Sequence, residues 1–163
     1  DVQINIHLTD ARGVTITGNT FWEGFANELL VERCNQVVVG HNNFDRNPRY
    51  LVNGFDNAER NGLVFLASAD CVSSSNIINV VWKKSAAVML QRCQRFNVAG
   101  NSILDSDGVG LLLEQTRNTL VADNIIRDDR PSEKRSAEPS LKLIGNDGNV
   151  IGSNVLGNGK KVE

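Results

Sequence analysis

Aromatic residues make up only 6% of the 163-residue chain, so its core has to be built mainly from aliphatic side chains. At 40% hydrophobic, one domain of this length can still bury a substantial core. No apolar run approaches the roughly 18–20 residues that a membrane-spanning helix needs. There is no basic surplus. The formal net charge is −2, which argues against a nucleic-acid partner. The three cysteines, Cys34, Cys71 and Cys93, are odd in number and lack C-x-x-C spacing, so neither a disulfide framework nor a zinc site is expected. They read as small buried thiols. His7 and His41 are the only histidines, and no H-E-x-x-H, Walker loop or G-x-S-x-G is present. There is also no signal-peptide pattern. The chain opens at Asp1 and enters an apolar alternation at once (Val2, Ile4, Ile6, Leu8), which reads as a piece of a longer protein.

What the chain does have is a repeat. The segments Leu29 to Asn42, Val88 to Asn101 and Leu111 to Asn124 agree in residue type position by position. Asn19, Asn42, Asn76, Asn101, Asn124 and Asn154 fall at intervals of 23, 34, 25, 23 and 30. The period is therefore about 23, with insertions in the two long intervals. Asn79 competes with Asn76 in the third repeat, because Asn79-Val80-Val81-Trp82 imitates Asn19-Thr20-Phe21-Trp22. Asn76 is preferred, since it keeps the column Ala11, Cys34, Ser68, Cys93, Thr116 uniformly small.

Each period holds two short alternating runs. The first puts Ile6/Leu8, Leu29/Val31, Leu63/Phe65, Val88/Leu90, Leu111/Leu113 and Leu141/Leu143 on one side. The second does the same with Val14/Ile16, Val37/Val39 and Phe96/Val98. Two residues after each Asn stands another apolar residue: Phe21, Phe44, Ile78, Ile103, Ile126, Leu156. Alternation with period two means strands with one buried face. Strands this short cannot close a core alone, but stacked coils about 4.8 Å apart share one. An inward Asn at a corner suits left-handed geometry and can bond to the Asn of the next coil.

The run Gly13-Val14-Thr15-Ile16-Thr17-Gly18-Asn19-Thr20-Phe21 resembles the repeat of pectate-lyase-like proteins, over about residues 4–158. The resemblance implies an all-β fold, a right-handed parallel β-helix of about six coils near 4–24, 27–47, 62–82, 86–106, 109–129 and 140–158. Loop insertions fall at 45–61 and 127–140. It implies an extracellular or periplasmic location. It also implies polysaccharide as a possible partner and lyase, epimerase or hydrolase chemistry as possible activities, alongside noncatalytic members. The rival is a leucine-rich repeat, because Val37-x-Val39-x-x-Asn42 fits its strand signature. The second β-like run in each coil and the lack of helical spacing disfavour it.

Enzymes of the resembled group bind polysaccharide along an outer strand face. The corresponding outward column here reads His7, Leu30, Val64, Met89, Leu112, Lys142. Its aliphatic centre suits burial against another subunit or another part of a parent chain better than contact with sugar. The next columns read Thr9, Glu32, Leu66, Gln91, Glu114, Ile144 and Asp10, Arg33, Ala67, Arg92, Gln115, Gly145. In them Glu32, Arg33, Arg92 and Glu114 are candidate catalytic residues, since an Arg beside an acid could neutralise a uronate and assist loss of its α-proton. In the first insertion Arg49 and Tyr50 offer a cation beside an aromatic platform. The second insertion, rich in Ser, Glu, Lys and Pro, reads as mobile. No cofactor is evident, although Asp105-Ser106-Asp107 could touch calcium. Gly108-Val109-Gly110 lacks the third glycine of a dinucleotide loop. The Asn-Thr-Asp, Asp-Asp and Gly-His-Gly motifs of polygalacturonase-like hydrolases are absent, as is the Arg-x-Pro-x-x-Arg of pectate lyases. Two functions therefore compete: a carbohydrate-active segment, and a noncatalytic scaffold or oligomerisation module.

Overall fold

The computed structural model describes residues 2–22, 24–46 and 61–163. The first coil consists of β1 (Val2–Thr9), β2 (Thr15–Thr17) and β3 (Thr20–Trp22). The second has β4 (Gly24–Glu32), β5 (Val38–Gly40) and β6 (Asn43–Asp45), and the third β7 (Leu63–Leu66), β8 (Val72–Ser74) and β9 (Ile77–Asn79). The fourth has β10 (Ala86–Gln91), β11 (Asn97–Ala99) and β12 (Ser102–Leu104), and the fifth β13 (Val109–Glu114), β14 (Leu120–Ala122) and β15 (Ile125–Arg127). The sixth has β16 (Leu141–Ile144), β17 (Val150–Ile151) and β18 (Val155–Leu156), and β19 (Lys160–Val162) follows it. Each strand pairs in parallel with its counterpart one coil on, giving a seven-stranded sheet and two six-stranded sheets. The only helical element among the described residues is a 3-10 turn at Ser132–Lys134. Three parallel sheets around one core make a parallel β-helix and rule out the leucine-rich repeat.

The coil has three strands where the alternation predicts two runs. The apolar residue after each Asn belongs to a short strand of its own, and Phe21 stacks on Phe44 at a centroid distance of 4.9 Å. Inward side chains from all three sheets form a single, mainly aliphatic core, including Leu29, Val31, Val39, Leu63, Leu111 and Leu113, with Phe44 and Phe65 among them. At about 25 cal/mol per Å² of apolar area removed from water, this shared interior is the main stabilising term.

The asparagines stand in file. Oδ1 of Asn101 accepts from both the backbone N–H (3.1 Å) and Nδ2 (3.0 Å) of Asn76. The same double bond links Asn19 to Asn42, Asn42 to Asn76, Asn101 to Asn124 and Asn124 to Asn154. The second hydrogen of each amide goes to a strand carbonyl, as from Asn101 to Ser73 (2.9 Å). Asn76 is therefore the third rung, and Asn79 instead donates to Asp45 at 3.1 Å. The left-handed geometry expected of the Asn belongs to the residue before it: Gly18, His41, Ser75, Gly100 and Asp123 all have positive φ. A second left-handed column is Asp10, Arg33, Ala67, Arg92, Gln115 and Gly145, the corner that closes the seven-stranded sheet.

Gly108 and Gly110 are packing glycines. A Cβ on Gly108 would meet the carbonyl oxygens of Lys84 and Ser85, and one on Gly110 would meet Ile126 and lie 2.7 Å from the Ser140 oxygen. Gly110→Ala is expected to cost about 1–3 kcal/mol by overpacking. Differential scanning calorimetry would register this as a lower unfolding midpoint, and an unchanged midpoint would contradict the packing.

Candidate functional site

The outer face of the seven-stranded sheet carries the predicted columns in register. His7, Leu30, Val64, Met89, Leu112 and Lys142 pair in sequence across the strands. Val64 and Leu112 are each only 8% exposed, while Leu30 and Met89 are half-buried. Leu112 is packed with Ala86, Val109, Met89 and Ile144 in a small apolar cluster outside the coil. This column is therefore partly covered by the chain itself.

The candidate catalytic residues are dispersed rather than convergent. Glu32 receives His7 Nε2 at 2.6 Å, and the same nitrogen lies 3.0 Å from Thr9 Oγ1. Arg33 does not pair with Glu32. It makes a two-pronged contact with Asp10, 2.8 Å on each arm, and that guanidinium holds the Asp10 carboxyl below the usual carboxylate range. Glu114 accepts from Gln91 Nε2 at 3.0 Å. Arg92 has no carboxylate partner among the described residues. Leu66 separates Glu32 from Gln91 in their column, so the two acidic candidates lie on opposite sides of an aliphatic rung. Arg49 and Tyr50 lie outside the described residues.

Two grooves border this face. One, of about 360 Å³, is lined by Lys84, Asp107, Leu112, Glu138, Lys142 and Ile144. The other, of about 430 Å³, lies on the left-handed corner. Its floor is Ala67, Ser68 and Ala69, and beside it stand Arg92, Gln94, Gln115 and Arg117. Arg117 was not among the sequence candidates. It belongs to the bridge column Arg12, Asn35, Ala69, Gln94, Arg117, Asp147, which becomes visible once the coil period is written out.

The second insertion is tied down, contrary to its composition. Arg130 binds Asp128 through Nε (2.8 Å) and a terminal nitrogen (2.7 Å), and reaches Asp107 at 2.8 Å and the Ser106 carbonyl at 3.1 Å. Asp105 accepts the backbone N–H of Asp129 at 2.9 Å. The carboxylates proposed for calcium are thus occupied by a guanidinium and a backbone donor, and a cation in place of calcium already sits there. Calcium is not supported.

The soft metal donors can be judged completely, because every His, Cys and Met of the chain is described. Among the described residues no three of His, Cys, Asp or Glu are grouped to hold a metal. The thiols of Cys34, Cys71 and Cys93 are buried and donate to backbone carbonyls of Glu32 (3.1 Å), Ala69 (3.1 Å) and Phe65 (3.4 Å). Burial pushes the Cys93 thiol up to about 11 and raises that of Cys71. Metal binding requires the thiolate, and this interior opposes it.

A family model described as "Periplasmic copper-binding protein (NosD)" matches residues 1–163. The chain belongs to the NosD family. Comparison with curated proteins and with solved structures finds no match. NosD membership agrees with the β-helix and with a periplasmic setting, and no helix among the described residues is long and apolar enough to cross a membrane. The family description names copper rather than carbohydrate. The donor set of this NosD-family chain nevertheless does not fit a copper site, because no three donors are grouped among the described residues, His7 and Met89 stand in one column but three coils apart, and the thiols are buried against backbone carbonyls.

Proposed function

We propose that the chain is a noncatalytic β-helix scaffold of a periplasmic copper-handling system, holding a partner rather than the metal or a sugar. The observation that supports this reading is the outer face of the seven-stranded sheet. Where a catalytic groove needs an acid and a base within hydrogen-bond reach of one substrate, this face has the aliphatic column Leu30, Val64, Met89, Leu112. Beside it Glu32 is held by His7 and Arg33 by Asp10, while Glu114 accepts from the Gln91 amide. A partner, either a second copy of the chain or another part of a parent protein, would meet the half-buried Leu30 and Met89 first.

A second reading keeps polysaccharide as the ligand. It is favoured by the groove with Lys84, Lys142, Asp107 and Glu138, whose lysines could meet a uronate. One pair of assays separates the two readings. The protein is titrated with Cu(I) against a competing chelator, and it is incubated with a panel of polyuronates monitored for unsaturated-uronate absorbance. The scaffold reading expects neither stoichiometric copper uptake nor uronate product. Stoichiometric copper uptake, or absorbance that rises with enzyme concentration, would overturn it.

A further inference from the structure

We infer that the corner groove over Ala67 and Ala69 receives a carboxylate from an acidic segment of a partner protein. The inference rests on the scaffold reading and specifies the chemistry of the partner. The corner carries five exposed arginines, Arg12, Arg33, Arg92, Arg95 and Arg117, against the carboxylates Asp10, Asp70 and Asp147. Most of these guanidiniums are already engaged. Arg33 is taken by Asp10, Arg95 by Asp70 (2.6 and 2.8 Å), and Arg12 donates to Gln36 at 3.1 Å. Arg92 and Arg117 are the two that no side-chain acceptor engages among the described residues, and both line the groove.

The groove exists because one coil lacks long side chains at this corner. Ala67 occupies a column whose other members are Asp10, Arg33, Arg92, Gln115 and the terminal Gly145, and Ala69 a column with Arg12, Asn35, Gln94, Arg117 and Asp147. The missing side chains leave a gap one coil wide beside Arg92. In the two ion pairs at this corner, a carboxylate sits one coil before its Arg: Asp10 before Arg33, and Asp70 before Arg95. Ala67 is one coil before Arg92, in the position where that carboxylate would stand. A carboxylate supplied from outside would complete the pattern, with Gln94 and Gln115 as amide donors around it.

The chemistry favours peptide over sugar. No aromatic ring lines the groove to stack on a pyranose face. The groove is also continuous with the apolar column: moving outward along the strands, Val64 leads through Leu66 to Ala67, and Met89 through Gln91 to Arg92. A segment with an apolar side chain followed by a carboxylate spans the two. Guanidinium forks bind carboxylates in paired, charge-assisted hydrogen bonds, which makes Arg the suitable residue type here.

The test uses the whole chain and a fluorescently labelled glutamate-rich peptide carrying leucines, followed by anisotropy. Arg92→Ala with Arg117→Ala is expected to weaken binding roughly tenfold or more. Arg95→Ala, at the same corner but already paired, is expected to change it less than twofold. Ala67→Glu supplies the carboxylate internally at a position whose column neighbours are long and polar. It should fold normally and lose peptide binding as completely as the double variant. Peptide affinity that is insensitive to Arg92, Arg117 and Ala67 overturns the groove while leaving the scaffold reading in place. Polyuronate turnover would overturn the scaffold reading whatever the peptide does. An oligogalacturonate that competes at the groove more strongly than the peptide would overturn the choice of partner.

Discussion

Asn101→Ala is expected to lower the unfolding free energy by about 3–5 kcal/mol, a large share of what a domain of this size has. The side chain is 1% exposed, and all of its polar capacity is used. Its oxygen takes two N–H groups of Asn76, and its amide serves Asn124 and the Ser73 carbonyl. Alanine orphans several buried groups in two neighbouring coils at once, each costing about 1–3 kcal/mol, less whatever the backbone recovers by shifting. Asp is the informative comparison. It retains the acceptor for Asn76 but brings a buried charge and cannot donate to Ser73 or Asn124, so it should be at least as damaging as Ala. Urea unfolding followed by far-UV circular dichroism measures both. The effect should fade toward the end of the file, because Asn154 and Asn19 are less enclosed than the four central rungs. A loss under 1 kcal/mol at Asn101 would mean that the ladder marks the fold without holding it.

The period of the asparagines was legible because each rung bonds only to its neighbour, so the same residue must recur once per coil. The αL residue stands one position before the Asn for a physical reason. The Asn side chain has to point inward to reach the next rung, and the turn that aims it falls on the residue before, where Gly18 and Gly100 adopt it without a Cβ, His41 and Asp123 belong to the side chains that tolerate it best, and Ser75 adopts it at a cost. The third strand of each coil escaped the alternation because it is too short to show any; only its central residue, such as Ile103 or Ile126, is buried. The outward columns were also legible, since register follows from the period. What they do chemically was not, because an Arg reveals nothing about which neighbour occupies it. Arg33 turned from Glu32, its chain neighbour, to Asp10 one coil away. The cross-coil spacing is itself written in the sequence: Asp10 to Arg33 is a separation of 23, and so is Asp107 to Arg130. The thiols show the opposite limit. Cysteine spacing excluded a simple motif, but only burial and the carbonyl acceptors decide that these thiols are unsuited to copper.

The same cross-coil spacing predicts the behaviour of the insertion at 127–140. Arg130→Ala should release this segment, lowering its local opening free energy by about 3–5 kcal/mol, because it strands the Asp128 carboxylate with little access to water. The Asp128 side chain is 7% exposed and that of Arg130 14%, so solvent screening is weak here compared with the open pairs at the corner. Burial alone would raise the Asp128 carboxyl, but hydrogen bonds from the Arg130 guanidinium and from the backbone N–H groups of Ser136 and Arg130 bring it below the usual carboxylate range. A depressed folded-state value contributes stability above the unfolded carboxylate value near pH 4, and that stability is lost as pH falls through the folded value. The wild-type insertion should therefore be closed at neutral pH and open progressively below about pH 4, while the Arg130→Ala variant is open already at neutrality. Amide exchange at Ser136, whose N–H bonds Asp128 at 2.7 Å, reads the opening directly. Tryptic cleavage after Lys134 and Arg135, which are exposed, should accelerate in the variant. The rest of the coil is expected to stay folded, since Ser140 and Asn158 still anchor the entry to β16. If exchange at Ser136 is equally slow in both proteins at neutral pH, the Arg130 network is not what closes the segment. The burden would then fall on the Ser136 hydroxyl and the Asn158 amide, which bond the Gly108 carbonyl and the Ser136 carbonyl from either side.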